Sequence, residues 1–310
     1  MQIGRRRSGF CLLVPPAARV SRCAILAVPI LLAACQPAVL NPHGAVGEAE
    51  KTILIDSLAI MLAIVVPTIG AILLFAWWFR SSNTRAHHLA DWAYSGQLEL
   101  LVWAIPLLTI MLLGGVAWVG SHDLDPAKPL ISSAKPLNVQ VVSLDWKWLF
   151  IYPDQGIASV NRLMIPVGVP VHFSLTSASV MNAFFIPQLG SMIYTMNGMT
   201  TQLNLSADKS GAYAGLSSHY SGDGFSDMHF DVQAVPAKDF ADWIAAARAT
   251  GAALTPQSYT ALEAQSIAVP AFTYDAVDPD LFDKIVTQAL PPGPGPPKNA
   301  IPDATMAAGN

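Results

Sequence analysis

Two stretches of this chain are too long and too apolar to be the core of an ordinary water-soluble domain: ILIDSLAIMLAIVVPTIGAILLFAWWF at 53–79 and LELLVWAIPLLTIMLLGGVAWV at 98–119. Each exceeds the roughly 20 residues that an α-helix needs to cross a bilayer. Trp77, Trp78 and Trp118 fall near the run ends, where aromatic belts form at membrane–water interfaces. We read the pair as a transmembrane hairpin rather than a buried core hairpin. The composition agrees: 53% of residues are hydrophobic and only 12% are charged, well below the charged share of a soluble domain. No basic patch is present to support a nucleic-acid interface.

The loop between the runs, RSSNTRAHHLADWAYSGQ at 80–97, carries Arg80 and Arg85 and is placed in the cytoplasm by the positive-inside rule. Both chain ends are then outside. His87 and His88 in this loop read as solvated side chains.

The N-terminus has the pattern of a targeting segment. Arg5, Arg6, Arg7, Arg19 and Arg22 precede AILAVPILLAAC, an apolar run too short to span, with small residues at its end. The tetrad Leu32-Ala33-Ala34-Cys35 followed by Gln36 is similar to a bacterial lipoprotein cleavage box. Cleavage of residues 1–34 would leave Cys35 first and lipid-bearing; the alternative is an ordinary signal peptide with a chance cysteine. The mature chain would fall from 17 to 12 basic residues and keep all 21 acidic ones, a net charge of −9. Cys11 and Cys23 would also be removed. With Cys35 acylated, no thiol would remain for a disulfide or a thiolate metal site.

From 137 the hydrophobic period changes to two. NVQVVSL, KWLFIY, VNRLMIP, VPVHFSLTS, TTQLNLSA and MHFDVQAV read as short strands, separated by turn residues such as Pro153-Asp154, Gly156, Gly168, Gly190 and Gly198. Such strands predict a β-sandwich or barrel. AKDFADWIAAARA, after Pro236, reads as a helix, and a mixed segment follows to about 288. The Pro- and Gly-rich tail LPPGPGPPKNAIPDATMAAGN reads as disordered. There is no internal repeat, P-loop, GxSxG or HExxH. The expected organisation is a signal peptide at 1–34, an outer segment at 35–52, helices at 53–79 and 98–119 and a cytoplasmic loop at 80–97. A periplasmic sandwich at 120–236, a helical extension at 237–288 and a tail at 289–310 complete it.

One loop stands out. GLSSHYSGDGFSDM, 215–228, has the spacing of a metal-binding loop without strong transition-metal ligands. Taken alone, its Ser and Gly residues could simply make a turn. Together with SLDWKWLFIYPDQGIASVN and SVMNAFFIPQLGSMIYTMNGM, in this order along the chain, it resembles subunit II of the haem–copper respiratory oxidases, over about 45–288. The resemblance implies a cupredoxin-like sandwich, which in cytochrome c oxidases holds a dinuclear copper site. There, two thiolates, two imidazoles, a thioether and a backbone carbonyl bind the metals, soft ligands that suit copper. On this sequence the two His positions fall at Asn182 and Phe225, the two Cys positions at Ser217 and Ser221, and the carbonyl donor at His219. Met228 alone is kept. That departure matches the bo-type ubiquinol oxidase branch, in which quinol delivers electrons within the membrane.

The resemblance thus implies subunit II of a proton-pumping ubiquinol oxidase, with no redox centre of its own, and haems and copper in subunit I. The other implied partners are subunits III and IV, membrane lipid, and ubiquinol as substrate of the complex. Subunit II of a menaquinol or cytochrome c oxidase stays open, as does a free-standing membrane lipoprotein with a copper-free cupredoxin shell. Glu99, at the start of the second run, has two readings. It is a helix-end carboxylate stabilised by the dipole, or, as the resemblance implies, the cytoplasmic mouth of a proton channel in subunit I. Asp56 reads as interfacial, His219 as a solvated side chain, and the aromatics of DWKW with Phe150 and Tyr152 as packing.

Overall fold

A computed structural model describes residues 38–293 other than 88, 90 and 250. The signal peptide, Cys35 and the tail beyond 293 lie outside the described residues. The chain divides into two units, 1–41 and 42–310. In the first, only a short 3-10 turn at Ala38–Leu40 is described.

The two apolar runs are helices, α1 at Ala45–Trp78 and α2 at Gly96–Asp123. Both are long and apolar enough to cross a membrane, and neither buries its most apolar stretch in the rest of the chain. Each holds an internal proline, Pro67 and Pro106. A Thr one turn or less beyond each proline bonds back to the chain, Thr68 Oγ1 to the Ile64 carbonyl and Thr109 Oγ1 to the Ile105 carbonyl, both at 2.7 Å. Such back-bonds keep polar groups satisfied near a proline where no water is present. The outer ends of the helices touch at Gly120, where a Cβ would stand 2.7 Å from Ile53 Cδ1.

The apolar run begins at 53, but α1 begins at Ala45, because its first turns dock on the sandwich. Gly47 N–H donates to the Leu189 carbonyl at 3.1 Å, and Ser191 Oγ donates to Glu50 Oε1 at 2.5 Å. Gly190 takes φ 139°, and a Cβ there would stand 2.7 Å from Val46 Cγ1. Only glycine allows that conformation and that close approach.

Ten strands build the sandwich: β1 Leu137–Leu144, β2 Lys147–Tyr152, β3 Ile157–Val160, β4 Arg162–Pro166, β5 Val171–Ser177, β6 Asn182–Ile186, β7 Gly190–Thr195, β8 Thr201–Leu205, β9 Gly211–Ser217 and β10 His229–Val235. One sheet includes the order β3-β2-β1-β5-β8 and the other is β4-β10-β9-β6-β7. Between them, Phe184 and Phe230 stack with centroids 5.2 Å apart, and Trp148 meets Phe184 edge-on at 5.4 Å. Trp148, Phe150 and Tyr152 are fully buried, so these aromatics are core. Strands β3, β6, β7 and β9 were not among the segments with a period-two pattern. IASV is buried at every position and NAFFI at all but one, while β7 and β9 begin with glycine.

The segment after Pro236, expected as a C-terminal helical extension, holds strands as well as helices. Helix α3, Ala237–Ala247, forms where expected. Beyond it lie β11 Ala253–Leu254, α4 Pro256–Glu263, β12 Phe272–Tyr274, β13 Ala276–Val277 and α5 Leu281–Val286. Strand β12 pairs with β3 and becomes the sixth strand of the first sheet, with Phe272 opposite Val160. Leu254, Tyr259, Leu281, Phe282 and Ile285 cover that sheet's outer face at Val142, Leu144, Leu149 and Ile151. The extension therefore completes the fold. It also explains KWLFIY, which is buried at all six positions, since a strand covered on both faces need not alternate.

Candidate functional site

The loop 218–228 connects β9 to β10, and it brings the positions singled out in the sequence together at one end of the sandwich. Ser217 ends β9 and Asn182 opens the neighbouring β6. Both are buried, and Ser217 Oγ lies 3.1 Å from Asn182 Oδ1 and 3.2 Å from the His219 carbonyl oxygen. Across the loop, Ser221 Oγ points at the Met228 sulfur at 3.7 Å, with both residues buried. Ser217 N–H donates to the Met228 carbonyl at 3.1 Å and joins the two groups. His219 and Phe225 are half-buried; their rings rest edge-on against Tyr194 and Tyr220 at 5.8 and 5.6 Å.

The loop is held from below by the turn between β1 and β2. Trp146 sits in that two-residue turn with φ 67°, a conformation uncommon for a bulky residue. Its indole is buried and Nε1–H donates to the Ser221 carbonyl at 3.1 Å. The ring lies so close to Gly224 that a Cβ there would stand 2.5 Å from Cδ2. Either side of Trp146 is a buried charge. Asp145 accepts from Ser179 Oγ and from Gln265 Nε2, the latter at 3.1 Å. Lys147 Nζ donates to the Ala264 carbonyl at 2.7 Å and to Ser266 Oγ at 2.5 Å. Burial pushes the Lys147 ammonium below its usual range, opposed by the Asp145 carboxylate. Nearby, burial and then Asp145 push the Glu263 carboxyl up, opposed by a hydrogen bond from the Gly293 backbone. The C-terminal extension thus grips the turn that supports the loop. A charged residue on each side of a tryptophan, inside an otherwise apolar strand region, is the sequence signal for this clamp, which a reading of DWKW as aromatic packing misses.

Whether these residues fit a copper pair is a question of donor chemistry. Two hydroxyls, a carboxamide and a phenyl ring stand where the resemblance implies two thiolates and two imidazoles. Hydroxyls and amides are poor ligands for a soft metal, and one thioether is insufficient. Their polar atoms are instead engaged with one another. Among the described residues, no three His, Cys, Asp or Glu side chains converge on a point. The donor set does not fit the copper site.

Glu99 lies elsewhere, exposed in the first turn of α2 beside a shallow cleft lined by Trp92, Tyr94 and Trp103. Its backbone N–H bonds to the Ser95 carbonyl, and Ser95 gives no side-chain cap. A carboxylate there compensates unpaired N–H groups.

Comparisons with known proteins support the geometry. Residues 154–235 match the family model for "Cytochrome C oxidase subunit II, periplasmic domain", and 248–293 match "COX Aromatic Rich Motif". The second match covers most of the extension that completes the sheet. Cytochrome bo(3) ubiquinol oxidase subunit 2 of Pseudomonas aeruginosa is 47% identical over 85% of this chain and 80% of its own. Ubiquinol oxidase subunit 2 of Acetobacter aceti is 49% identical over 87% and 89%. Quinol oxidase subunit 2 of Bacillus anthracis is 33% identical over 76% and 81%. With two apolar helices ahead of a cupredoxin-like sandwich, and with identity of this extent, the chain belongs to the family of ubiquinol oxidase subunit 2.

Proposed function

We propose that this chain is subunit II of a proton-pumping ubiquinol oxidase in a bacterial inner membrane. The complex oxidises ubiquinol and reduces oxygen to water. This subunit carries no redox centre, and the haems and copper belong to subunit I, with subunits III and IV completing the assembly. The observation that carries the reading is the loop's donor set. Asn182, Ser217, Ser221 and Phe225 replace the ligands a copper relay needs, and the polar ones are engaged with one another, the His219 carbonyl and the Met228 sulfur. An electron from a soluble donor would find no acceptor here, so electrons must enter from a donor dissolved in the membrane.

In this reading the two helices seat the chain in the bilayer and the sandwich lies in the periplasm. Cys35 carries the lipid, which adds little to anchoring beside two spans. Glu99, an ionisable group at the membrane edge, passes protons to subunit I. The test is the electron donor. The purified complex should turn over with a short-chain ubiquinol and not with reduced cytochrome c. Sustained oxygen consumption on cytochrome c would overturn the proposal.

A further inference from the structure

A cleft of about 300 Å³ opens on the sandwich between α3 and β12, near β4. Strands β4 and β12 are the outer strands of their two sheets at this end, whereas α1 docks at β7, the opposite edge of the second sheet. The cleft is therefore on the far edge from α1, and Arg162 pairs in register with Asp231, three residues beyond the loop 218–228.

Arg162, the first residue of β4, contributes the cleft's cation. Its backbone is fixed, since the buried Ser159 hydroxyl donates to its carbonyl at 2.5 Å. Its guanidinium has no partner among the described residues. All the ion pairs there use lysine, and Asp231, its neighbour in register on β10, forms none with it. The Nε is buried without an acceptor, so the neck of the side chain is packed, and the terminal nitrogens are the donors left for an outside group. A guanidinium presents these as a planar fork that matches a carboxylate. Two aromatic rings and three alanines make up most of the remaining wall, with Thr273 among them. Trp243 is held edge-on against Tyr152 at 5.2 Å, and Phe272 is fixed by the pairing of β12 with β3. Ala246 and Ala247 keep the α3 side low.

We propose that this cleft binds a small aromatic carboxylate, with the anion on the Arg162 fork and the ring between Trp243 and Phe272. A cation and two rings lining one space this small select for both features at once. A cleft at the lower end of ligand-site volumes takes a single ring rather than a larger ligand. An aliphatic anion would leave the rings unused, and a neutral aromatic would leave the guanidinium unpaired.

The probe is 4-fluorobenzoate, followed by fluorine resonance in the detergent-purified full-length chain. Saturable binding is expected with a dissociation constant of about 0.1–1 mM, in line with the size of the probe. Arg162→Met should weaken it roughly tenfold or more, by removing a charge-assisted pair. Phe272→Ala, at a partly exposed position, should weaken it severalfold. The neutral 4-fluorobenzyl alcohol should bind the unmodified chain at least tenfold more weakly, a comparison that needs no variant to fold. Absence of saturation, equal affinity for acid and alcohol, or equal affinity in Arg162→Met would overturn the proposal. Displacement by acetate as effective as by benzoate would overturn the role of the rings.

Discussion

Replacing Lys147 by methionine should release the C-terminal extension from the β1–β2 turn. Methionine fills similar space and keeps the buried stem, so the change isolates the ammonium's two bonds, at 2.7 Å to the Ala264 carbonyl and 2.5 Å to Ser266 Oγ. A hydrogen bond to a charged group contributes about 1.5–3 kcal/mol net, so the two together contribute about 3–6 kcal/mol. Removing the ammonium also removes its cost of burial, the same cost that lowers its pKa. Asp145 keeps its bonds from Ser179 and Gln265 but loses the attraction of the ammonium, which offsets part of that relief. The balance is a loss of about 3 kcal/mol, roughly a hundredfold in the opening equilibrium. Native-state hydrogen exchange of the full-length chain, read by mass spectrometry over 256–285, should therefore accelerate by about that factor. Strands β1, β2 and β5 keep their ladders and should keep their protection. Unchanged exchange in the extension would show the clamp to be idle. Equal loss of protection in every strand would show that Lys147 supports the whole sandwich rather than this contact.

Three further outcomes are expected. Gly224→Ala should destabilise the chain by about 1–3 kcal/mol, because the new methyl would overlap the Trp146 indole and displace it from Ser221; a lowered thermal transition would show it. Glu263 has a carboxyl raised by burial and then by Asp145. Its neutral form therefore adds stability below the ordinary value of 4.5, and this is lost as pH rises through the folded value. Glu263→Gln, always neutral, should be more stable than the parent at pH 7 and level with it near about pH 4, as thermal unfolding at both would measure. If Glu99 feeds a proton path, Glu99→Ala should slow turnover of the assembled complex with haem content unchanged, and Glu99→Asp should fall between.

The readable parts of the fold were those with a local signal. Two uninterrupted apolar runs foretold α1 and α2, and alternation foretold β1, β5, β8 and β10. What alternation could not show was burial on both faces. NAFFI and IASV lack a polar face because they lie inside, and β12 pairs with β3 more than a hundred residues earlier, a distance no periodicity spans. The candidate site was legible in outline, since Asn182, Ser217, His219, Ser221 and Met228 do converge. The support beneath it was not. The bond from Trp146 to Ser221 crosses 75 residues, and the grip of Lys147 on Ala264 crosses 117. The start of α1 at Ala45 was hidden because its first turns dock on protein and carry Glu48, Glu50 and Lys51.

If, as we propose, the loop 218–228 keeps the shape of a copper loop and lacks only the donors, five substitutions should restore the site. Asn182→His, Ser217→Cys, Ser221→Cys, Phe225→His and His219→Glu, together in the full-length chain, would place two imidazoles and two thiolates beside the buried Met228 sulfur. The hydroxyls they replace already face Asn182 and Met228. The most direct measurement is paramagnetic resonance of the copper-loaded variant beside the unmodified chain under the same treatment. The variant should show one electron shared between two coppers, and the unmodified chain no tightly bound copper. Stoichiometric copper retained by the unmodified chain, or a folded variant that holds no copper pair, would contradict it.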